Sequence, residues 1–408
     1  MAEEHQFSSA DKRENTIRQR LTLFVLLWFS GACLRLTVLA IPPVVPLLHA
    51  DLRLSETDIG WLSSLPPMLF AIAAVPGSLL IARFGMMPAL VAGLLLDALG
   101  GAARGAIADV QSLYLATIAM GAGVAIVQTV MPTLVRAWFP ERIGLATSVY
   151  TNGLLVGEII PVGLTIPVLL PLLHGNWRLN LGVWSVPVLL TMVLFAIWTP
   201  GRRGAAKTET TPGRRWWPDW RDPLIWRLGL ILGSVNATYF ATNAFLPDYV
   251  TAAGRPDLVS SALTAINFGQ LPASLLMLSL AEKLVTRPLA YAATGALSFL
   301  SVVAMMLSNG LWIVFWSGVL GFTGAVTLIM VLALPSILSA PDDVHRSTAG
   351  MFTISYSCAM ALSVLVGWMW DFTRSPLFAF TPVALCGLVI VALSSTVRHA
   401  DRRPVAVE

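Results

Sequence analysis

Charged side chains are scarce in this sequence: Asp, Glu, Lys and Arg make up 12% of 408 residues, about half the share usual in soluble domains. A soluble chain of this length would need a charged surface to stay dispersed. The composition therefore excludes a soluble enzyme. Cysteine is nearly absent, and Cys33, Cys358 and Cys386 lie singly in apolar stretches, which excludes a disulfide framework and a paired-cysteine zinc site. The five histidines, His5, His49, His174, His345 and His399, fall outside the apolar runs or at their ends. With no HExxH, paired aspartates or Ser/His arrangement in those runs, an intramembrane enzyme is disfavoured, and neither metal nor cofactor is expected.

What the chain does have is apolar residues, 56% in the set AVILMFWYC. A bilayer core of about 30 Å takes about 20 residues of helix. Apolar runs and their charged or Pro/Gly boundaries give twelve spans, at 21–48, 57–82, 86–107, 111–136, 143–168, 180–199, 224–250, 258–281, 287–307, 311–339, 348–370 and 376–396. The expectation is an all-α, multi-pass protein of the lipid bilayer. The run after the polar first 20 residues is too long for a signal-peptide core and contains Arg35, so the N-terminus reads as uncleaved.

The longest break, 200–223, holds Arg202, Arg203, Lys207, Arg214 and Arg215 among Pro, Gly and Thr. It reads as a linker between six-helix halves at 21–199 and 224–396, with tails at 1–20 and 397–408. If both tails are cytoplasmic, 20 of the 26 Lys and Arg lie on that side. Five, Arg53, Arg104, Arg178, Arg255 and Arg374, fall opposite, and one, Arg35, is left inside a span. This asymmetry satisfies the positive-inside rule. It explains the net charge of +4 without a nucleic-acid partner.

The halves also repeat. A shift of 201 residues pairs Thr37 with Thr238, Pro46 with Pro247 and Arg35 with Asn236. Shifts near 200 match PGSLLIA from Pro76 with PASLLML from Pro272, and Gly144 through Tyr150 with Gly350 through Tyr356. Parallel six-helix repeats are an architecture of secondary transporters.

On these residues the chain resembles the major facilitator superfamily over essentially its whole length. The family's GxxxDRxG loop between spans 2 and 3 corresponds to Ser78, Ala82, Arg83 and Gly85, so the Arg and last Gly match while the first Gly and the Asp do not. Glu282 and Lys283 occupy the equivalent positions of the second half, which the resemblance makes the carriers of the gating interaction beside Arg83 and Gly85. Within the superfamily the likeness is to the cyanate permease and nitroimidazole exporter branch. It rests on Arg35 ahead of Pro42, Pro43 and Pro46, on GAGVAIVQTVMP from Gly121 to Pro132, and on WRxxLxxWxxP from Trp177 to Pro187. The resemblance implies two pseudo-symmetric bundles, a monomer and a bacterial inner membrane.

Arg35 lies 14 residues beyond Leu21, about 21 Å along a helix and near the bilayer midplane. A guanidinium there costs at least about 2.5–3.5 kcal/mol and cannot escape by losing a proton. It needs a partner or a ligand, and its planar fork suits a small planar anion. Glu158, at similar depth in span 5, is the expected partner. Thr147, Thr151, Leu154 and Glu158 are spaced i, i+4, i+7 and i+11, a stripe on one helix face. A carboxyl in hydrocarbon is neutral unless paired, so Glu158 is the residue expected to couple transport to protons.

Asn236, Tyr239 and Asn243 in span 7 and Asn267 and Gln270 in span 8 share helix faces that could complete a cavity opposite Arg35. Gln128, Tyr150 and Tyr356 join them as solute-binding candidates, the tyrosines offering an apolar wall with one hydroxyl. Interhelical hydrogen bonding is the competing reading for these polar residues. Asp97 and Arg104 in span 3 read as a structural pair, and Trp216, Trp217 and Trp220 as an interfacial anchor. The functional expectation is a secondary active transporter of a small anion, cyanate-like or a small carboxylate or nitro compound, working by alternating access with protons as the coupled ion. The alternative is an efflux antiporter or uniporter for a small uncharged or weakly acidic compound.

Overall fold

The computed structural model of the protein describes residues 2–54, 56–106, 109–198, 215–373 and 375–397. Among these residues all regular structure is helical. Ten helices are long and apolar enough to cross a membrane, a bent pair makes an eleventh span, and Thr381–Val397 is a shorter apolar helix. Most of the linker read at 200–223 and of the tail at 397–408 lies outside the described residues.

In the first half the helices are α1 (Ala2–Leu36), α2 (Val45–Leu52), α3 (Glu56–Ile72), α4 (Ala74–Phe84), α5 (Met86–Ala106), α6 (Val110–Trp138), α7 (Ile143–Leu164), α8 (Leu170–Leu172) and α9 (Trp177–Trp198). The second half has α10 (Pro223–Ala252), α11 (Val259–Phe268), α12 (Gln270–Leu284), α13 (Pro288–Leu307), α14 (Leu311–Leu338), α15 (Val344–Thr373), α16 (Pro376–Ala379) and α17 (Thr381–Leu393). Capping is local: the Asp109 carboxylate accepts from the backbone N–H of Ser112 at 2.9 Å, which starts α6 and holds that carboxyl below its ordinary range.

Several expected spans are broken, and proline accounts for the breaks. A proline has no N–H for the carbonyl four residues earlier. Pro76 deprives Ile72, where α3 ends and the chain bends by 45° into α4. Its repeat mate Pro272 deprives Phe268, where α11 ends. Span 1, expected to run unbroken over 21–48, ends its regular helix at Leu36. Short 3-10 turns at Val38–Ala40 and Pro42–Val44 follow, because Pro42, Pro43 and Pro46 remove successive donors.

The two halves pack by the same scheme. In the first, α1 packs on α7, α5 on α6 and α9, and α3 on α6; in the second, α10 packs on α15, α13 on α14 and α17, and α11 on α14. The halves meet where α3, α4, α6 and α7 face α12, α14 and α15. We call the end of the molecule holding the start of α1 and residues 215–222 the tail side.

Hydrogen bonds join the halves there. Arg136 donates to the carbonyls of Ser336 and Ser339, and Ser336 Oγ donates to the Pro132 carbonyl at 2.8 Å. Asn152 Nδ2 donates to Ser274 Oγ at 2.9 Å, and Ser148 Oγ to the Met277 carbonyl at 3.1 Å. On the far side the halves bond within themselves: Tyr114 donates to Asp58, and Trp177 and Arg178 donate to Asp51.

The span-3 charges do not form a direct ion pair. Thr37 Oγ1 donates to Asp97 at 2.7 Å, while Arg104 donates to the Thr37 carbonyl at 2.6 Å. Both side chains are 1% exposed, so Arg104, counted above with the loops opposite the tails, turns into the core instead. Together they grip span 1 where its helix gives out.

Candidate functional site

The site begins with the approach of α1 to α7. A side chain on Gly31, Gly153 or Gly157 would strike the facing backbone, Gly31 at Tyr150, Gly153 at Trp28 and Gly157 at Ala32. Glycine therefore lets the two backbones touch. This contact sets Arg35, three residues after Ala32, beside Glu158, one residue after Gly157. Arg35 Nε donates to Glu158 Oε1 at 2.9 Å, with the side chains 12% and 13% exposed. Arg35 is also in the last turn of α1, where the unpaired helix carbonyls favour a cation, and its Nη1 lies 3.3 Å from the Leu34 carbonyl.

The second half supplies the other side. Arg35 Nη2 points to Tyr356 OH at 3.4 Å, and Gln128 Nε2 donates to the same oxygen at 3.0 Å. The Arg35 guanidinium also stands over the Phe70 ring, 5.4 Å from its centroid. Tyr356 is packed among Phe70, Phe240 and Phe352, so its hydroxyl is fixed by rings on several sides.

A cavity with a water-accessible volume of about 60 Å³ lies against these groups, room for roughly four waters. Arg35, Glu158, Gln128, Asn236, Tyr239, Gln270 and Tyr356 line it, all expected from the sequence. Phe240 and Phe352 complete an apolar wall. Nothing in the sequence marks those phenylalanines, since rings in apolar spans serve cores, lipid faces and cavities alike.

Three expected residues stand elsewhere. Asn267 accepts from Tyr239 OH at 2.8 Å and donates to Asn243 at 2.9 Å. Asn243 and Asn267 thus brace Tyr239 from behind the wall. Tyr150, the repeat mate of Tyr356, does not line the cavity, although the two are equally buried, 2% and 1% exposed. The likeness of the halves therefore does not extend to the surroundings of these two tyrosines.

The residues expected to gate also divide. Gly85 ends α4 with φ of +86°, a backbone that favours glycine. Glu282 accepts from the Leu145 N–H at 2.9 Å, capping the first turn of α7 across the two halves. Among the described residues neither Lys283 nor Arg83 makes an ion pair, and both are exposed. The tail-side contact thus uses a helix N-terminus, with Glu282 but not Lys283 bridging the halves.

A family model described as Major Facilitator Superfamily matches residues 27–363. The chain belongs to the major facilitator superfamily. Among curated relatives, this superfamily member is 27% identical over 385 residues to the cyanate transport protein CynX of Escherichia coli, covering 91% of this chain and 96% of that one. It is 23% identical to the 2-nitroimidazole transporter of Escherichia coli, covering 92% and 94%. Another relative is an uncharacterized transporter, YycB, of Bacillus subtilis, at 22% identity and 92% of both chains. In fold it resembles the Escherichia coli fucose:proton symporter, with TM-score 0.72, 14% identity and coverage of 92% and 98%. It also resembles a proton:xylose symporter, with TM-score 0.69, 13% identity and coverage of 92% and 95%. The protein is a multi-pass membrane transporter of small solutes and not an enzyme.

Proposed function

We propose that this transporter carries a small planar anion, held by Arg35 in the cavity between the halves and exchanged against the Glu158 carboxylate. The observation that carries this reading is Arg35 itself, facing the cavity with Glu158 on one side and Tyr356 on the other. In the empty site Glu158 occupies the fork that an anion would use. Protonating Glu158 removes its charge and frees the guanidinium, and the cavity holds only a few heavy atoms. The cyanate and nitroimidazole transporters are relatives whose named solutes are small and flat.

The positive-inside asymmetry supports a cytoplasmic tail side, in a bacterial inner membrane. The halves bond to each other level with Arg35 or on its tail side, the pattern of a monomeric carrier closed to the cytoplasm and facing outward. Alternating access then needs the Glu282 and Arg136 contacts to part.

Flux into proteoliposomes of cyanate and of a small carboxylate, with and without a pH gradient, tests this reading. Loss of flux in both Arg35→Lys and Arg35→Ala is expected, because a point charge lacks the fork. Normal transport by Arg35→Ala overturns the anion reading. A second reading, an antiporter or uniporter for a flat uncharged compound, draws on the same apolar wall and on an Arg35 charge already balanced by Glu158. Saturable flux of a neutral nitro compound, insensitive to Arg35 substitution, would select it.

A further inference from the structure

A second opening in the fold lies away from the solute cavity, on the outer surface where the halves meet. It is an open groove with a water-accessible volume of about 420 Å³ between the α3–α4 bend, α15 and the segment before α10, and its walls include Ile72, Val75, Leu79, Trp216, Trp217 and Trp220. We propose that this groove binds an acyl chain of an anionic phospholipid in the tail-side leaflet, with the headgroup phosphate on Arg83 and Arg215.

Three observations identify the occupant. The first is depth. Ile72, Val75, Pro76 and Leu79 follow at i, i+3, i+4 and i+7 and line the groove, and Arg83 is one turn beyond Leu79 on the same face. From Ile72 to Leu79 the lining covers about 10 Å, roughly two-thirds of the half-thickness of a bilayer core of about 30 Å, and Arg83 stands one turn further on. The groove thus reaches most of the way through one leaflet, with Arg83 beyond its tail-side end.

The second is charge. Arg83 closes the stripe at the tail-side end, and Arg215 adjoins Trp216. Both are exposed, and neither makes an ion pair among the described residues. The nearby acids are occupied: Asp219 faces Arg346 at 3.7 Å, and the Asp222 carboxylate accepts from the Leu224 N–H at 2.9 Å. Two exposed arginines with no ion pair among the described residues, at the membrane surface, favour an anionic headgroup.

The third is the wall itself. Trp216, Trp217 and Trp220 stack edge to face, and Trp217 is 55% exposed. Ser78 Oγ donates to the Trp216 carbonyl at 2.7 Å, fixing the tryptophan segment to α4. Tryptophan at this level suits the boundary between headgroup and chain. At the deep end Thr353 Oγ1 donates to the Ala71 carbonyl at 2.8 Å. One half thus supplies α3 and α4 and the other supplies the tryptophans and α15, so the groove exists while the tail side is closed.

Native mass spectrometry of the delipidated full chain in detergent tests this, with dioleoylphosphatidylglycerol, dioleoylphosphatidylcholine or inorganic phosphate as probe. One phosphatidylglycerol is expected to bind roughly tenfold or more tighter than phosphatidylcholine, the scale two interfacial arginines provide. The double substitution Arg83→Gln with Arg215→Gln should erase that preference. Leu79→Trp, which fills the groove and leaves both arginines, should weaken both lipids. Equal affinities in the unaltered protein, an unchanged preference in the double variant, full phosphatidylglycerol binding by Leu79→Trp, or displacement of the lipid by inorganic phosphate would each overturn the proposal.

Discussion

Gly157 and Ala32 lie so close that a methyl group on the glycine would stand 2.5 Å from the Ala32 carbonyl oxygen. That closeness brings the α7 carboxylate to the α1 guanidinium. Gly157→Ala should push α7 from α1, cost roughly 1–3 kcal/mol of stability as overpacking does, and abolish flux. Gly163→Ala, where the added atom meets nothing within 4 Å, should leave both intact. Thermal melting and proteoliposome flux measure the pair.

Glu158→Gln removes one charge of a nearly buried pair and leaves Arg35 without its 2.9 Å partner. One-sided losses of this kind cost about 3–5 kcal/mol in soluble proteins, so a lowered melting temperature is expected. Flux should no longer respond to a pH gradient. A variant that retains the full pH response sinks the coupling role of Glu158.

Tyr356→Phe keeps the ring among its aromatic neighbours and deletes the oxygen shared by Arg35 and Gln128. One lost hydrogen bond of about 1 kcal/mol corresponds to roughly a fivefold rise in half-saturation for the solute. The maximal flux should stay near that of the unaltered protein.

Glu282→Ala uncaps α7 at the contact between halves. Caps of this type contribute about 0.5–2 kcal/mol, enough to shift the balance of the two facing states several-fold toward the tail-open one. Distances between spin labels on the tail-side ends of α7 and α12 report that shift. An unchanged distance distribution would show that Glu282 does not hold the gate.

Thr37→Val removes the hydroxyl that donates to Asp97 and spares the carbonyl that Arg104 takes. Leaving a buried acceptor short of its donor costs about 1–3 kcal/mol. Melting should fall by that amount while the half-saturation for the solute stays within twofold, because Thr37 does not line the cavity.

Much of this architecture is written in periodicity and charge. Apolar runs locate the spans, and counting arginines singles out Arg35 and pairs it by depth with Glu158. The helix breaks carry a partial signal: Pro76 and Pro272 each end a helix four residues upstream, while Pro132, Pro187, Pro247 and Pro335 lie inside continuous helices. Reading the runs as unbroken cylinders hid that. The cavity wall was harder, since Phe240 and Phe352 differ in no local pattern from rings in the core. Tyr150 and Tyr356 show the limit of arguing from the repeat: of two equal positions, only Tyr356 lines the cavity. A single-residue signal such as a charge in hydrocarbon survives this, and a shared offset does not.

Arg35 and Glu158 both belong to the first half, while the second half meets them with a phenol and amides. If the halves rock as proposed, the two opposite charges would travel together as one dipole and would not be pulled apart through hydrocarbon. On that proposal the empty carrier would reset without dragging a bare charge across the membrane, and the electrical work of a cycle would fall on the solute and on any proton coupled to it.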